Sequence, residues 1–250
     1  MKTPKNKQSD KQSPNEGIRL NKFIANAGVC SRREADKLIE QGLIKVNGRV
    51  VKEMGFKVTL DTEVIYKGKR LIAEELKYVL LNKPKDFISA NEDEKGRKTV
   101  MGLVKKAGNE RLFPVGRLDR SATGLLLLTN DGVLAKKLSN PSSKVPKVYQ
   151  VELNKALEEE DLEKIKKGIQ LQDDFIKVDE AAIITEDGLD VGIEIHSGKN
   201  AIVKRIFEHL GYEVNKLDRV LYGGLTKKDL PRGKWRFLKP IEVIRLKGIR

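Results

Sequence analysis

Residues 116–132 read GRLDRSATGLLLLTNDG and set a carboxylate, Asp119, between two guanidinium groups, Arg117 and Arg120. Four leucines follow. A carboxylate on a loop can act as a nucleophile or as a general base. Arg117 and Asp119 are two residues apart, so in an extended segment their side chains point the same way. A nearby guanidinium favours the ionised carboxylate. A structural ion pair on a surface turn accounts for the same spacing, so spacing alone leaves both readings open. Asp131 stands where aspartate commonly caps a following helix, and Glu152 and Asp218 lie near other motifs. A two-carboxylate glycosidase needs a second acid across the bond from Asp119, and no spacing marks one. With one cysteine, Cys30, and two histidines, His196 and His209, the chain can form no internal disulfide and has no HExxH or CxxC pattern for zinc. The histidines read as structural or exposed.

The elements that would hold Asp119 follow from periodicity. The run Leu125–Leu128, ended by Asn130-Asp131-Gly132, predicts a strand buried on both faces. Tyr78–Leu81, Val148–Leu153, Val178–Thr185, Val191–Ile195, Val214–Tyr222 and Trp235–Leu246 read as further strand. Thr99–Lys106, Val133–Leu138, Leu157–Lys167 and Ala201–Leu210 read as helices. Strands and helices without a regular alternation indicate an α+β fold with a mainly antiparallel mixed sheet flanked by helices. Ahead of this lies a smaller unit. Leu20, Phe23, Ile24 and Ala27 fall at helical spacing. Ser31-Arg32-Arg33-Glu34 fits a capping box that opens a second helix, Gly42 can end it, and Asn47-Gly48 between β-branched residues predicts a hairpin. Residues 1–16 hold no large apolar side chain beyond Met1 and read as a disordered basic tail. The expected domains are 17–70 and 77–250, joined by a linker at 71–76.

The formal net charge is +14 over 250 residues, which points to a polyanionic partner, nucleic acid above all. From His196 to Arg250 there are 14 Lys and Arg against 5 Asp and Glu. Lys199, Lys204, Arg205, Lys216 and Arg219 in that segment suggest a phosphate-tracking cleft. Arg32 and Arg33 open a helix, where the macrodipole disfavours cations by roughly 0.3–1 kcal/mol each. A phosphate across that helix start would reverse the sign. No apolar run approaches the ~18 residues of a membrane span. The N-terminus has no apolar signal region, so a cytoplasmic location is expected.

Two motif sets resemble known families. IRLNKFIANAGVCSRREADKLIEQGLIKVNGRVV resembles an S4 RNA-binding domain, two helices plus a hairpin or small sheet, as found in ribosomal protein S4 and several RNA-modifying enzymes. GRLDRSATGLLLLTNDG resembles the signature of the ribosomal RNA pseudouridine synthases of the RsuA/RluB type, which also carry an N-terminal S4 domain. LNKPKDFIS (Leu81–Ser89) is similar to that family's first motif, with Asp86 where glycine is usual, and KVYQVEL (Lys147–Leu153) to its K-x-Y-x-V strand. LPRGKWRFL (Leu230–Leu238) resembles its closing motif.

The resemblance implies an isomerase. The C1′–N1 bond of a uridine breaks, the uracil turns, and C1′ bonds to C5, with no cofactor and no metal. It implies Asp119 as the catalytic carboxylate, attacking C1′ or abstracting the 2′ proton. Tyr149 would stack on the flipped base and assist at the C5 proton. A basic residue would pair with Asp119. Lys204 falls where the family usually has arginine, with Arg205 as the competing candidate, and Ala201-Ile202 replaces the family's Arg-Gln. Arg117 would support Asp119, and Leu217 falls where relatives place an apolar residue under the base. Arg19, Lys22, Arg32, Arg33, Lys37 and Lys199 are the expected RNA contacts. The implied partner is ribosomal RNA, leaning to the large subunit, or a ribosome assembly intermediate, bound by a monomer. The alternative is a non-catalytic S4-type assembly factor.

Overall fold

A computed structural model describes residues 17–249 apart from 60, 173, 198 and 200. The expected tail, 1–16, lies outside the described residues. The chain divides into two compact units, Met1–Glu75 and Leu76–Arg250.

In the first unit the helices Leu20–Asn26 and Arg32–Glu40 form as expected. The Ser31 hydroxyl accepts the Glu34 amide at 3.2 Å, and the Glu34 carboxylate accepts the Ser31 amide at 2.7 Å. Asn47 and Gly48 take φ of 47° and 79°. Positive φ at both positions is the turn that matches the twist of a two-residue hairpin, and it joins Ile44–Val46 to Arg49–Val50. Lys67-Gly68 repeats the device (φ 50° and 75°) and adds Lys69–Arg70 beside Val64–Tyr66. That strand begins ahead of the expected linker, and Leu71, inside the linker's bounds, packs on this unit's core of Leu20, Ile24, Ile39, Ile44 and Val64.

The second unit is built on a nine-stranded sheet. Across it run Glu180–Ile183, Asp190–Ile195, Lys147–Leu153, Val214–Tyr222, Thr123–Thr129, Tyr78–Lys83 and Trp235–Phe237. Leu225–Thr226 and Phe113–Val115 pair at the side. Among the described strands of this sheet all pairings are antiparallel except one. Val214–Tyr222 runs parallel to Thr123–Thr129, with Asp218 opposite Thr123 and Arg219 opposite Gly124. The leucine strand separates two cores, which is why it reads as a continuous apolar run. Leu126 and Leu128 pack with Val79, Leu81, Val151 and Ile193. Leu125 and Leu127 pack with Leu80, Val115, Leu134 and Leu246 on the other face. All four leucines are fully buried, at about 1.5–3 kcal/mol each relative to exposure. Helices Glu159–Lys167 and Ile202–His209 cover the first core, and Gly132–Ser139 and Pro240–Gly248 cover the second.

The last helix corrects the expectation of strand through Leu246. Only Trp235–Phe237 is strand. Pro240 stands in the first turn of the helix, where its missing N–H costs nothing. The Glu242 carboxylate accepts the Lys239 amide at 2.7 Å and both Arg236 guanidinium nitrogens at 2.7 Å. The β-branched residues Ile241, Val243 and Ile244 carry strand propensity, which this cap and the burial of Leu246 override.

Candidate active site

Two segments build the loop that carries Asp119. The leucine strand anchors its downstream end. Gly124, at φ 106°, lies so close to its parallel neighbour that a Cβ there would sit 2.3 Å from the Arg219 carbonyl oxygen. Glycine is required on both counts. The upstream support is Leu81–Ser89. Lys83 is fully buried, and its ammonium donates to the carbonyls of Asp119 at 2.9 Å and Ala122 at 2.6 Å. The Ser89 hydroxyl donates to the Leu118 carbonyl at 2.8 Å and accepts the Leu118 amide at 3.1 Å. The Asp86 amide donates to the Arg120 carbonyl at 2.9 Å. Asp86 has φ 69°, a left-handed conformation that explains a usual glycine and that aspartate tolerates better than most residues. Burial pushes Lys83 down to about 8, while the carbonyl contacts favour its charged form.

The carboxylate so held faces the buried Lys83 charge. Among the described residues no hydrogen bond or ion pair engages the Asp119 side chain. The expected Arg117–Asp119 pair is therefore not formed; Arg117 is exposed, and both residues line one cavity. Loop backbone contacts, not an ion pair, aim Asp119. The cavity measures about 150 Å³, a volume that admits a single six-membered ring. Tyr149, Leu217, Lys199 and Arg219 share its wall. Tyr149 is held between two strands, opposite Ile193 and Arg219. Lys147, also on the wall and buried, donates to the carbonyls of His196 at 2.9 Å and Ser197 at 3.2 Å. Burial pushes it, too, down to about 8.

Lys204 and Arg205 do not line this cavity. The helix Ile202–His209 turns Ile202, Val203, Ile206 and Phe207 into the core, and the Lys204 ammonium lies 3.3 Å from Glu208. Beside Lys147, a second buried cation in the wall is Arg219, 2% exposed. Its Nε donates to the Leu125 carbonyl at 2.7 Å, and its guanidinium lies 4.6 Å from the Tyr222 ring centre. Its Nη2 is buried with no partner among the described residues. Arg219, expected in a phosphate-tracking cleft, is a buried cation in the cavity wall. Lys199 pairs with Asp174, and Lys216 pairs with Glu152 at 2.6 Å. Gly198 and Asn200 of the basic motif lie outside the described residues. Asp131 is a helix cap, accepting the Val133 and Leu134 amides at 3.0 Å. Asp218 bonds Arg232 and Thr123 at 2.8 Å and also pairs with Lys227, and these contacts hold its carboxyl down at about 2 despite burial. The other expected RNA contacts belong to the first unit. Arg19, Arg32, Arg33 and Lys37 are exposed there and Lys22 is half-buried, with Arg32 and Arg33 opening the second helix.

Sequence reasoning missed Lys83, Ser89 and Lys147. Each lies inside or beside a quoted motif, but each acts on backbone carbonyls, and residue spacing does not reveal such partners.

Residues 77–209 match the RNA pseudouridylate synthase family, and residues 18–64 match the S4 domain. The chain belongs to the RNA pseudouridylate synthase family. It is 42% identical over 235 residues to the ribosomal large subunit pseudouridine synthase B of Bacillus subtilis, covering 92% of this chain and 96% of that one. It is 40% identical over 233 residues to an uncharacterized RNA pseudouridine synthase of Aquifex aeolicus, covering 92% and 93%. A crystal structure of a pseudouridylate synthase matches with a TM-score of 0.66 at 31% identity, over 92% of this chain and 99% of that one. The family fold is thus the S4 unit followed by the sheet described above.

Proposed function

We propose that this pseudouridine synthase isomerises a uridine of large-subunit ribosomal RNA, free or in an assembly intermediate, with Asp119 as its catalytic carboxylate. The observation that carries the reading is a carboxylate with no hydrogen bond or ion pair among the described residues, on a loop stapled by Lys83, lining a ring-sized cavity. A flipped uracil in that cavity would stack on Tyr149 and rest against Leu217, which offsets stacking lost from the RNA. Asp119 would act at the ribose, at C1′ or at the 2′ proton. The glycosidic C1′–N1 bond breaks, the base turns in the cavity, and C1′ bonds to C5. The S4 unit would dock the RNA through Arg32 and Arg33 at a helix start. The large-subunit target is supported by the name of the Bacillus subtilis relative. A binding-only role would leave the Asp119 carboxylate on the cavity wall without a use.

The test is a map of pseudouridines in the ribosomal RNA of a deletion strain carrying the wild-type chain or Asp119→Asn. The expected result is one position restored by the wild type and absent with Asp119→Asn. Identical maps would refute the proposal.

A further inference from the structure

Whichever way Asp119 acts, its negative charge travels. If the carboxylate attacks C1′, the electron pair of the C1′–N1 bond leaves with the base. If it takes the 2′ proton, the C2′–H pair forms a C1′–C2′ double bond, and the C1′–N1 pair again leaves with the base. In both cases the detached uracil is an anion, its charge shared between N1 and the carbonyl oxygens. The charge returns to the carboxylate when C5 bonds to C1′. An anion released into a small cavity is stabilised by a fixed cation or donor already aimed at it. The Lys83 charge faces the carboxylate, so the base needs a second one.

Arg219 lines the cavity with Tyr149 and Leu217. It stands directly opposite Tyr149 where Val214–Tyr222 pairs with Lys147–Leu153. Leu217 lies two residues before it, and strand residues two apart share a face. The guanidinium is fixed from two sides. Its Nε donates to the Leu125 carbonyl at 2.7 Å, and its central carbon lies 4.6 Å from the ring centre of Tyr222, which also lines the cavity. Among the described residues it pairs with no carboxylate, and the buried Nη2 has no acceptor. The buried lysines that feel its charge, Lys83 and Lys147, are cations themselves. A buried charge left unpaired is costly. The other cations of the wall are otherwise engaged. Lys147 donates to the carbonyls of Val145 at 3.3 Å, His196 and Ser197, Lys199 pairs with Asp174, and Arg117 is exposed. A uracil oxygen, above all one carrying negative charge, is the acceptor that Arg219 lacks.

We propose that the Arg219 guanidinium holds the uracil while it is detached, as counter-charge and hydrogen-bond donor to the oxygens of its anion. The inference rests on the pseudouridine reading above. Arginine keeps its protons at any working pH, so it steadies the anion without protonating it, and C5 stays nucleophilic. The negative charge thus moves from a carboxylate facing Lys83 to a base facing Arg219 and back, and the protein ends as it began.

Single-turnover rates on large-subunit ribosomal RNA transcribed with uridine or with 5-fluorouridine test this, read as loss of the original nucleoside at the target position. Fluorine withdraws electrons, so the anion of 5-fluorouracil needs less help. Arg219→Met keeps the length of the side chain without its charge. It is expected to slow uridine conversion by about 10²–10³-fold, with RNA affinity unchanged. It should slow 5-fluorouridine by a smaller factor, so that the ratio of the two rates rises above the parent's. Arg219→Lys retains the charge without the fork and is expected to raise the ratio less; it carries the test if Arg219→Met fails to fold. A role that is merely structural would slow both nucleosides equally. A parent protein that forms no pseudouridine refutes the function itself. A parent that forms it, with the ratio unchanged in every variant that folds, refutes the role of Arg219 alone.

Discussion

Gly124→Ala is expected to be among the most damaging single-methyl additions in the catalytic unit. The new Cβ would lie 2.3 Å from the Arg219 oxygen, 2.5 Å from its nitrogen and 2.8 Å from its carbonyl carbon, all backbone atoms that cannot rotate away. The parallel strands must separate by about 1 Å to reach an ordinary contact. Holding a non-glycine residue at φ 106° costs about 1–3 kcal/mol. Separation also strains the buried bond from Arg219 Nε to the Leu125 carbonyl, 2.7 Å long, and a hydrogen bond from a charged group is worth about 1.5–3 kcal/mol. Together these give a loss of about 4 kcal/mol, which lowers the melting temperature by about 8–16 °C in a unit of this size. Calorimetry on the full chain measures it. Gly102→Ala is the control. Gly102 lies in a short helix without positive φ, and a Cβ there meets nothing within 4 Å, so its melting temperature should hold or rise slightly. A fall of less than about 2 °C for Gly124→Ala would refute the close approach, and with it the account of how Asp119 is anchored.

Activity should decline as pH rises through about 8, where Lys83 and Lys147 lose the protons that staple the site. Both folded values lie below that of the unfolded chain, so over the window from about 8 up to the ordinary lysine value only the unfolded state keeps those protons. These two groups therefore make the fold more stable, not less, as pH rises there. A pH–rate profile beside melting curves checks this, and an alkaline limb unmoved in Lys83→Arg with Lys147→Arg would count against it. Changing Arg32 and Arg33 together to Ala should weaken RNA binding and flatten its salt dependence by roughly one counterion per lost phosphate contact. A salt titration of affinity with an unchanged slope would remove both from the interface.

Much of the fold was legible because its cues are local. The Ser31–Glu34 box, the Asn47-Gly48 turn, the Asp131 cap and the leucine strand each depend on residues within a few positions of one another. The apolar run of that strand reports burial on both faces wherever its partners come from. The motif strings located Asp119, Tyr149 and Leu217, which share one cavity. The Lys67-Gly68 turn is equally local, but the strands it joins are only two or three residues long and too short to show a period.

By itself the sequence determined most element types, the two-unit order and the mainly antiparallel sheet, because turn chemistry and hydrophobic period act over short distances, while Asp119 was singled out by the motif it shares with the family. Tertiary structure alone decided what holds that carboxylate and what faces it. Lys83 reaches carbonyls 36 and 39 positions away, and Arg219 reaches one 94 positions away. A backbone carbonyl is the same on every residue, so no side-chain spacing encodes which one a buried cation will find. For the same reason Lys204, matched by motif, turns out to face Glu208, and the wall's buried guanidinium is that of Arg219. The helix presents its apolar residues to the core first, and its charged positions take the directions that remain.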